Sequence, residues 1–445
     1  MATADAGRAD GGASSAFWPA PQPCWRVPPA LASAFTMAER LKVLLSAYAC
    51  EPGRGSEPEV GWQWAVHLAR HHDVTVVTRA NNREPVERGL ADQPEPHPRF
   101  LYFDLSPRWQ AWKRRGLPVA VYYFSWQRAV TRHLAPRLAE FDLIHHITFN
   151  SFRQPGAWRA CGKPIVLGPL GGGQICPWRL MGDFGAAWPG ELLRSLTVKL
   201  NGLNPFARRS FAAAALILCA NEDTAARVPS AFRARVRLML ETGIAATAAA
   251  RPPRANEGGV RVLWVSRLVP IKGAPLALRA FAAAWRQRPA LRLTMVGDGP
   301  DAVRVRRLAA ELGVAGVVEF AGSLPHAQVQ ARLPEHDVFL FTSLRDTSGN
   351  VLLEAMAAGL PAVTLRHHGA AQIATDETAI RVPPTTAEET TAQLAAALVR
   401  LADDAALRAR LGEAALRRVR ETCLWPRKAE AMSAWYAAAL AGGAR

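Results

Sequence analysis

The chain has 445 residues, of which 49% are hydrophobic and 20% charged, and its formal net charge is +17. This length allows two or three domains with substantial cores, and this composition excludes an intrinsically disordered protein. The longest wholly apolar run, residues 211–220, has about half of the roughly 20 residues that a membrane-spanning helix needs. The basic residues, nearly all Arg, are dispersed and form no stripe joined to a nucleic-acid-binding motif, so we expect no nucleic-acid partner.

Residues 1–36 are rich in Ala, Gly, Pro and Ser and lack the basic start and continuous apolar core of a secretory signal. We therefore expect a disordered extension before the first domain. The six cysteines show no CxxC spacing and no paired framework, which is typical of free thiols in a reducing compartment. The sequence accordingly predicts a cytoplasmic protein.

Short β-branched or leucine-rich runs alternate with helical segments, the pattern of parallel sheets covered by helices on both faces. The first half predicts strands at residues 41–48, 73–79, 100–105, 141–148, 163–169 and 216–221. The second half predicts strands at residues 260–266, 291–297, 317–322, 337–343, 361–366 and 379–384. Two doubly wound α/β domains follow, with ligands expected in the cleft at the carboxyl ends of the strands.

Composition shifts and helix-end residues set the predicted boundaries. We place the first domain at residues 37–245, a Pro- and Gly-containing connector at 246–259 and the second domain at 260–420. Residues 421–445 are predicted to form a helix that packs back toward the first domain. Capping boxes are predicted at Ser56 with Glu59 and at Thr386 with Glu389.

The most informative stretch reads RDTSGNVLLEAMAAG, residues 345–359. A helix beginning at Gly349, Asn350 and Val351 would offer free N–H groups and its positive dipole end to a diphosphate. Glu354 lies about 7.5 Å further along the axis and leans back toward that end, where it can accept from a ribose diol. Asp346 precedes the helix and can accept from the hydroxyls of a second sugar. Alternatively, Glu354 is a buried partner of an arginine and Asp346 a capping acid.

This stretch resembles the E-x7-E signature of glycosyltransferase family 4, and the resemblance extends over nearly all of residues 38–440. It implies two Rossmann-like domains facing across a cleft, the GT-B fold, and transfer of a sugar from a nucleotide-diphosphate sugar with retention of configuration. The first acid here is Asp346, one methylene shorter than the usual Glu.

Further segments of the second half carry the same resemblance. VSRLVPIKG, residues 265–273, is similar to the family's G-R-L-x-x-x-K-G segment, with Ser266 in place of the usual Gly. Arg267 and Lys272 can together neutralise a diphosphate leaving group. The resemblance also implies backbone contacts from Ser323 and Leu324 to the nucleotide base. Gly297 in VGDGP either approaches the donor or forms a tight turn.

The two adjacent histidines of the second half, His367 and His368, lie in a segment that departs from the family. LRHHGAAQI, residues 365–373, stands where relatives often carry Gly-Gly-Pro. Only Gly369 matches that segment. We assign no function to His367 and His368.

Two segments of the first half point into the same cleft. CEPGRGSEPEVGW, residues 50–62, is a glycine loop in which Gly53 and Gly55 would let the backbone approach a phosphate or the acceptor, unless it is a plain strand-to-helix turn. DLIHHITFNSF, residues 142–152, has a D-x-x-H spacing that resembles the family's first-domain histidine at the reaction centre, which selects His145 before His146. Strand alternation sends the two to opposite faces, and we expect one in the cleft and one in the core.

The expected partners are the nucleotide-sugar donor and a saccharide or lipid-linked saccharide acceptor. We expect no cofactor and no essential metal, since no Asp-x-Asp or histidine cluster has ligand spacing. Aromatic and basic residues interleave at 102–127, either as a surface for an anionic membrane on its inner face or as helix cores with arginine edges. Two other classes stay open: a nucleotide-sugar epimerase of the same fold and an inactive donor-binding subunit.

Overall fold

The computed structural model describes residues 40–149, 151–247 and 259–442. The expectations for residues 1–36 and for most of the connector at 246–259 lie outside the described residues. Within these ranges the chain folds as two α/β domains, each built on an all-parallel sheet of seven or six strands. The predicted pair of doubly wound domains is confirmed.

The first domain has the strand order β3-β2-β1-β4-β5-β6-β7. Its strands are β1 (Lys42–Ala47), β2 (Asp73–Thr78), β3 (Arg99–Tyr102), β4 (Leu143–Thr148), β5 (Ile165–Leu170), β6 (Leu216–Cys219) and β7 (Val236–Leu238). Its helices are α1 (Ser56–Ala69), α2 (Arg83–Ala91), α3 (Pro107–Arg114), α4 (Val119–Leu134), α5 (Trp188–Leu200), α6 (Pro205–Ala213) and α7 (Glu222–Arg227). The order reverses between β1 and β4, which opens a crevice at their carboxyl ends.

The second domain has the strand order β10-β9-β8-β11-β12-β13. Its strands are β8 (Arg261–Val265), β9 (Arg292–Val296), β10 (Val318–Gly322), β11 (Val338–Phe341), β12 (Ala362–Leu365) and β13 (Ala379–Val382). Its helices are α8 (Ala274–Gln287), α9 (Ala302–Glu311), α10 (His326–Arg332), α11 (Asn350–Ala357), α12 (His368–Ile373), α13 (Ala387–Asp403) and α14 (Ala405–Thr422). The corresponding crevice lies between β8 and β11.

The last helix, α15 (Trp425–Gly442), returns to the first domain. Its residues Trp425, Met432 and Tyr436 are part of the same buried cluster as Val43 and Val76 of the first sheet. The chain therefore crosses between the domains twice, and α15 supplies core side chains to the domain that it left about 200 residues earlier.

Local chemistry explains several departures from the expected elements. The side chain of Ser56 caps nothing, because Gly55 is the N-cap residue and Glu59 instead accepts from the Gly53 N–H at 2.6 Å. The second predicted capping box is half formed, since the Thr386 hydroxyl accepts from the Glu389 N–H at 3.2 Å.

In the aromatic segment at 102–127, Tyr123 and Trp126 are buried in the core of the first domain, which supports the helix-core alternative for these two residues.

Candidate active site

An ion pair at the carboxyl edge of the second sheet forms the centre of the site. Lys272 Nζ lies 2.5 Å from Asp346 Oδ2, and their side chains are 15% and 23% exposed. The two residues follow different strands, β8 and β11, on either side of the crevice. The structure thus joins the predicted cation and the predicted first acid directly.

Backbone contacts between two loops fix this pair. The N–H of Leu344 donates to the carbonyl of Ile271 at 2.8 Å, and the Thr342 hydroxyl donates to the carbonyl of Gly273 at 2.9 Å. Gly273 has φ +66°, and a Cβ there would lie 2.2 Å from the Thr342 carbonyl oxygen. A side chain at position 273 would therefore push the loops apart and separate the ion pair.

The second acid, Glu354, lies on α11 and faces α10. Its Oε2 accepts from Gln330 Nε2 at 2.7 Å, and its Oε1 lies 3.2 Å from His326 Nε2. Burial raises the pKa of Glu354, while the contacts with His326 and Gln330 lower it. Glu354 is therefore a half-enclosed acceptor with its orientation fixed by a neighbouring helix, and it does not pair with an arginine in the described structure.

The start of α11 has the geometry that an anion site needs. Gly349 is the N-cap residue with φ +88°, and Asn350 and Val351 are the first residues of an eight-residue helix. A Cβ on Gly349 would lie 3.0 Å from the Phe341 ring, so the glycine is required by the fold as well as by any ligand. Asn350 Oδ1 lies 2.8 Å from the Ser348 hydroxyl oxygen, and this contact holds the segment that precedes the helix.

Arg267 and Gly297 lie on neighbouring loops that are bonded to each other. The Ser266 N–H donates to the Val296 carbonyl, and the Leu268 N–H donates to the Asp298 carbonyl at 2.9 Å. Gly297 has φ +132°, and a Cβ there would lie 1.8 Å from the Ser266 carbonyl oxygen. Gly297 is thus a packing glycine under the Arg267 loop. The Arg267 side chain is exposed and has no ion pair or hydrogen bond to the described residues.

The proposed base contacts lie beside Glu354. Ser323 is exposed, and Leu324 is half-buried against the core that contains α11. Both precede α10, whose His326 and Gln330 contact Glu354. The predicted base-binding segment and the predicted ribose acceptor are therefore neighbours in the structure.

The glycine loop of the first domain has free space beside its glycines, but one of its backbone donors is already hydrogen-bonded. A Cβ on Gly53 or Gly55 would meet nothing within 4 Å. The Gly53 N–H already donates to Glu59, so that donor is not free for a phosphate. The positive φ of both glycines, +71° and +67°, is what the turn itself requires.

The histidines of β4 are not in the cleft, which corrects our expectation for His145. His145 is fully buried, with Nδ1 2.7 Å from the Tyr436 hydroxyl and Nε2 2.6 Å from the Gly168 carbonyl. His146 is also fully buried, with Nε2 2.8 Å from the Tyr123 hydroxyl. Burial lowers their pKa values to about 4 and about 3. Alternation does send the two rings to opposite faces, but α15 covers one face and α4 the other.

First-domain residues that sequence reasoning did not select contact the loop that carries Asp346. Asn221 Nδ2 donates to the Thr347 carbonyl at 2.8 Å, and Gln174 Nε2 donates to the Thr347 hydroxyl at 2.7 Å. The Ser348 hydroxyl donates to Glu241 Oε1 at 2.7 Å. Asn221 ends a predicted strand, and Gln174 follows the glycine run that comes after the strand predicted at 163–169. Their positions at the sheet edge were therefore available from the pattern. No pattern in the sequence indicated that Glu241 lies at this edge.

A second interdomain contact involves the unassigned histidines. His368 Nδ1 lies 3.0 Å from Asp223 Oδ2 of the first domain, and the rings of His367 and His368 stack with centroids 4.1 Å apart. Burial would raise the pKa of Asp223, but the hydrogen bond and charge of His368 leave it lowered. A Cβ on Gly369 would lie 2.3 Å from the Thr347 carbonyl oxygen, which explains the glycine at the one matching position.

The site as a whole combines a lysine, two carboxylates and a helix start on one edge of the second sheet, facing first-domain side chains. Among residues 40–149, 151–247 and 259–442, no group of three or more His, Cys, Asp or Glu side chains is placed to hold a metal ion. Over the same ranges, every helix is too short or too polar to span a bilayer. Lys272 and Arg267 can bind a diphosphate together with the helix start. The carboxylates of Asp346 and Glu354 can accept hydrogen bonds from sugar hydroxyls.

The sequence of the second domain matches a known family. Residues 247–418 match the family model described as "Glycosyl transferases group 1". The match contains Arg267, Lys272, Asp346 and Glu354. The similarity to this family therefore lies in the part of the chain that contains the ion pair and the two acids.

Two curated proteins illustrate the similarity over part of the chain. The putative colanic acid biosynthesis glycosyltransferase WcaL of Escherichia coli K12 is 33% identical over 153 residues, which is 33% of this chain and 38% of that protein. The GDP-mannose-dependent alpha-(1-6)-phosphatidylinositol monomannoside mannosyltransferase of Mycolicibacterium smegmatis is 35% identical over 122 residues, 26% of this chain and 32% of that protein. The chain thus spans about a third of the length of these relatives.

Two solved structures have the same fold over most of the chain. The apo form of the lipopolysaccharide outer core galactosyltransferase WaaB superposes with a TM-score of 0.62 at 14% identity, covering 89% of this chain and 99% of that chain. Anabaena HepE in complex with UDP and glucose superposes with a TM-score of 0.55 at 15% identity, covering 89% and 100%. At these identities the likeness shows the fold alone, and this fold is GT-B.

Proposed function

We propose that this chain is a retaining glycosyltransferase of family 4 that moves a sugar from a nucleotide-diphosphate sugar to a hydroxyl of a saccharide or lipid-linked saccharide. The product would belong to a cell-surface polysaccharide or glycolipid, made on the cytoplasmic side of a membrane. The observation that carries the proposal is the Lys272–Asp346 pair beside the start of α11. The family match over residues 247–418 and the UDP and glucose held by HepE support it.

The donor's diphosphate fits between the two cations and the first turn of α11. The exposed Arg267 has no ion-pair partner among the described residues, so it can pair with a phosphate without breaking an existing contact. The contacts of Asp346 with Lys272 and Ser343 both fall on Oδ2, which leaves Oδ1 to accept from a hydroxyl of the transferred sugar. Glu354 would accept from the ribose, with the base near Ser323 and Leu324.

The chemistry that we propose uses no protein nucleophile. The bond from the anomeric carbon to the donor phosphate breaks while the acceptor oxygen bonds to the same face of that carbon. The acceptor's proton passes to the departing phosphate oxygen. Each cation at the diphosphate would contribute roughly 2–4 kcal/mol to the transition state. Since Lys272 and Arg267 supply the positive charge, we propose that no metal is required, and chelation by EDTA should leave the rate unchanged.

Ligand screening followed by product analysis tests this function. Uridine, guanosine and adenosine diphosphate sugars are screened by thermal shift, and the stabilising donor is assayed for acceptor-dependent release of its nucleoside diphosphate. We expect release that requires an acceptor, and a product whose anomeric configuration by NMR equals that of the donor. Interconversion of the donor without acceptor would instead identify an epimerase. Stabilisation without any release would identify a donor-binding subunit.

A further inference from the structure

Helix α5 presents its apolar side chains to solvent. Trp188, Leu192, Leu193, Leu196 and Leu200 are each 50–63% exposed, and Leu203, just beyond the helix, is 76% exposed. We call these six residues the leucine stripe. The opposite face buries Glu191 and Ser195. An ordinary surface helix has the reverse arrangement, so this one leaves an apolar face without a partner among the described residues.

Polar contacts of the inner face fix this orientation. Glu191 Oε1 lies 3.1 Å from Arg345 Nε, next to Asp346, and 3.3 Å from Arg194 Nη1. Arg194 also donates to the carbonyls of Gln174 and Gly172 at 2.9 and 3.1 Å. Turning the leucines inward would break this network and leave a buried charge unpaired. The stripe is therefore a stable feature of the surface.

The exposed charged side chains of the segment that carries the stripe are all basic. In residues 178–213 the exposed charged side chains are Arg179, Lys199, Arg208 and Arg209. The two acids of this segment, Asp183 and Glu191, are held in ion pairs with Arg279, Arg304, Arg194 and Arg345. Trp178, which is 76% exposed, has the Arg179 guanidinium 5.3 Å from its ring centroid. Exposed leucines with tryptophan and basic residues at their rim are typical of helices that lie in a membrane interface.

A groove connects the stripe to the cleft side of the first domain. It has a volume of about 760 Å³ and starts at Leu200 and Leu203. Its walls include Phe124, Phe149 and Phe206, and it reaches Glu57 in the first turn of α1, which follows the carboxyl end of β1. A lipid-linked molecule seated at the stripe would thus have a path, lined by these rings and by polar side chains such as Arg153 and Asn204, toward the carboxyl edge of the first sheet.

We propose that the leucine stripe seats the protein on a bilayer with anionic headgroups, through interfacial insertion of α5. A second copy of the chain fits the surface less well, because a two-fold contact through the stripe would bring Lys199, Arg208 and Arg209 of both copies together. The proposal goes beyond the sugar transfer described above and does not require it. Its test can therefore fail while the enzyme is active, and succeed while the enzyme is inactive.

Vesicle flotation tests the proposal with the full chain. The vesicles contain phosphatidylglycerol and phosphatidylcholine in equal parts, or phosphatidylcholine alone. We expect the protein to float with the anionic vesicles and to be released by salt. The double variant Leu192→Glu with Leu196→Glu should bind at least about tenfold more weakly, because two inserted side chains become anionic. Val303→Glu is the matched control, an exposed apolar residue of the second domain that should float as the wild type does.

Four results would overturn the proposal. If the wild-type protein does not float with the anionic vesicles, or if the double variant floats equally well, the stripe does not bind lipid. A vesicle-free dimer that the double variant dissociates would assign the stripe to a second copy. Binding only after deletion of residues 1–36 would show that this segment covers the stripe in the full chain. Unchanged circular dichroism and melting temperature of both variants exclude misfolding as the cause.

Discussion

Glu241 is a buried carboxylate whose ionised form lowers the stability of the fold. It is 6% exposed, its Oε1 accepts from Ser348, and its Oε2 has no hydrogen-bond partner in the described structure. Burial raises its pKa, partly offset by the Ser348 hydrogen bond. The contact joins the first domain to the loop between Asp346 and Gly349. Glu241 therefore positions the candidate site and weakens the fold when it is ionised.

Replacing Glu241 by Gln should change how stability depends on pH. A raised native pKa means that the folded state binds the proton more tightly than the unfolded state. This stabilisation is complete below the unfolded pKa of about 4.3 and is lost as pH rises through the native pKa. The Glu241→Gln variant cannot titrate there, so its melting temperature relative to wild type should rise between about pH 4 and pH 8. A difference that stays constant over this range would contradict the assignment.

Several site residues could be predicted from the sequence because their chemistry is local. Asp346, Gly349 and Glu354 lie in one strand–loop–helix unit, and Lys272 follows an unmistakable strand. His145 could not be placed, since whether a side chain near a strand end reaches the cleft depends on the helices that cover it. Here the covering side chain, Tyr436, comes from the far end of the chain.

At the scale of elements, three loops at the edge of the second sheet act as one unit. The Gly297 N–H donates to the Gly322 carbonyl at 2.7 Å, and the loop after β8 is bonded to the loop after β9. Gly297 lies where these loops meet. A rigid set of loops would hold Arg267 and the predicted base-binding segment at fixed positions for a donor.

Gly297→Ala should therefore destabilise the protein and weaken donor binding. The new Cβ would lie 1.8 Å from the Ser266 carbonyl oxygen at φ +132°, so the loop must shift. We expect a loss of about 2 kcal/mol or more in the free energy of unfolding. Gly316→Ala is the control, because a Cβ there meets nothing within 4 Å. Urea denaturation of both variants measures the effect, and equal midpoints would contradict it.

The elements themselves were predicted well, with specific exceptions. Twelve of the thirteen strands fall within the predicted runs to within one or two residues. The exception, β7, is a three-residue edge strand with Arg237 at its centre, too short and too polar to show a periodic pattern. Helix α11 ends after eight residues because Ala358 and Gly359 already leave the helix.

In the whole molecule, α15 packs the end of the chain into the core of the first domain. Met432 is fully buried against first-domain side chains, and Lys428 Nζ donates to the Leu240 carbonyl at 2.6 Å. Such contacts join residues roughly 200–400 positions apart. Pattern reasoning indicated a terminal helix, but the particular partners of such distant segments follow only from the assembled fold.

Met432→Ala should lower the free energy of unfolding by about 2–5 kcal/mol, because it leaves a cavity in the first domain's core. Glu430→Ala on the same helix is the control: its ion pair with Arg427 is exposed and contributes at most about 1 kcal/mol. Thermal and chemical denaturation compare the two variants. If Met432→Ala matched Glu430→Ala, α15 would not be part of the first domain's core.

The proposed role of Lys272 is tested by the rate at which Lys272→Ala releases nucleoside diphosphate from the donor. We predict a fall in kcat of at least tenfold, and of about 30- to 1,000-fold if Lys272 supplies roughly 2–4 kcal/mol to the departing diphosphate. Folding should be preserved. Lys42→Ala is the control, because Lys42 is exposed at the amino end of β1, away from the cleft edge, and this variant should keep the wild-type rate. A folded Lys272→Ala enzyme with a near-wild-type rate would show that Lys272 does not stabilise the departing diphosphate.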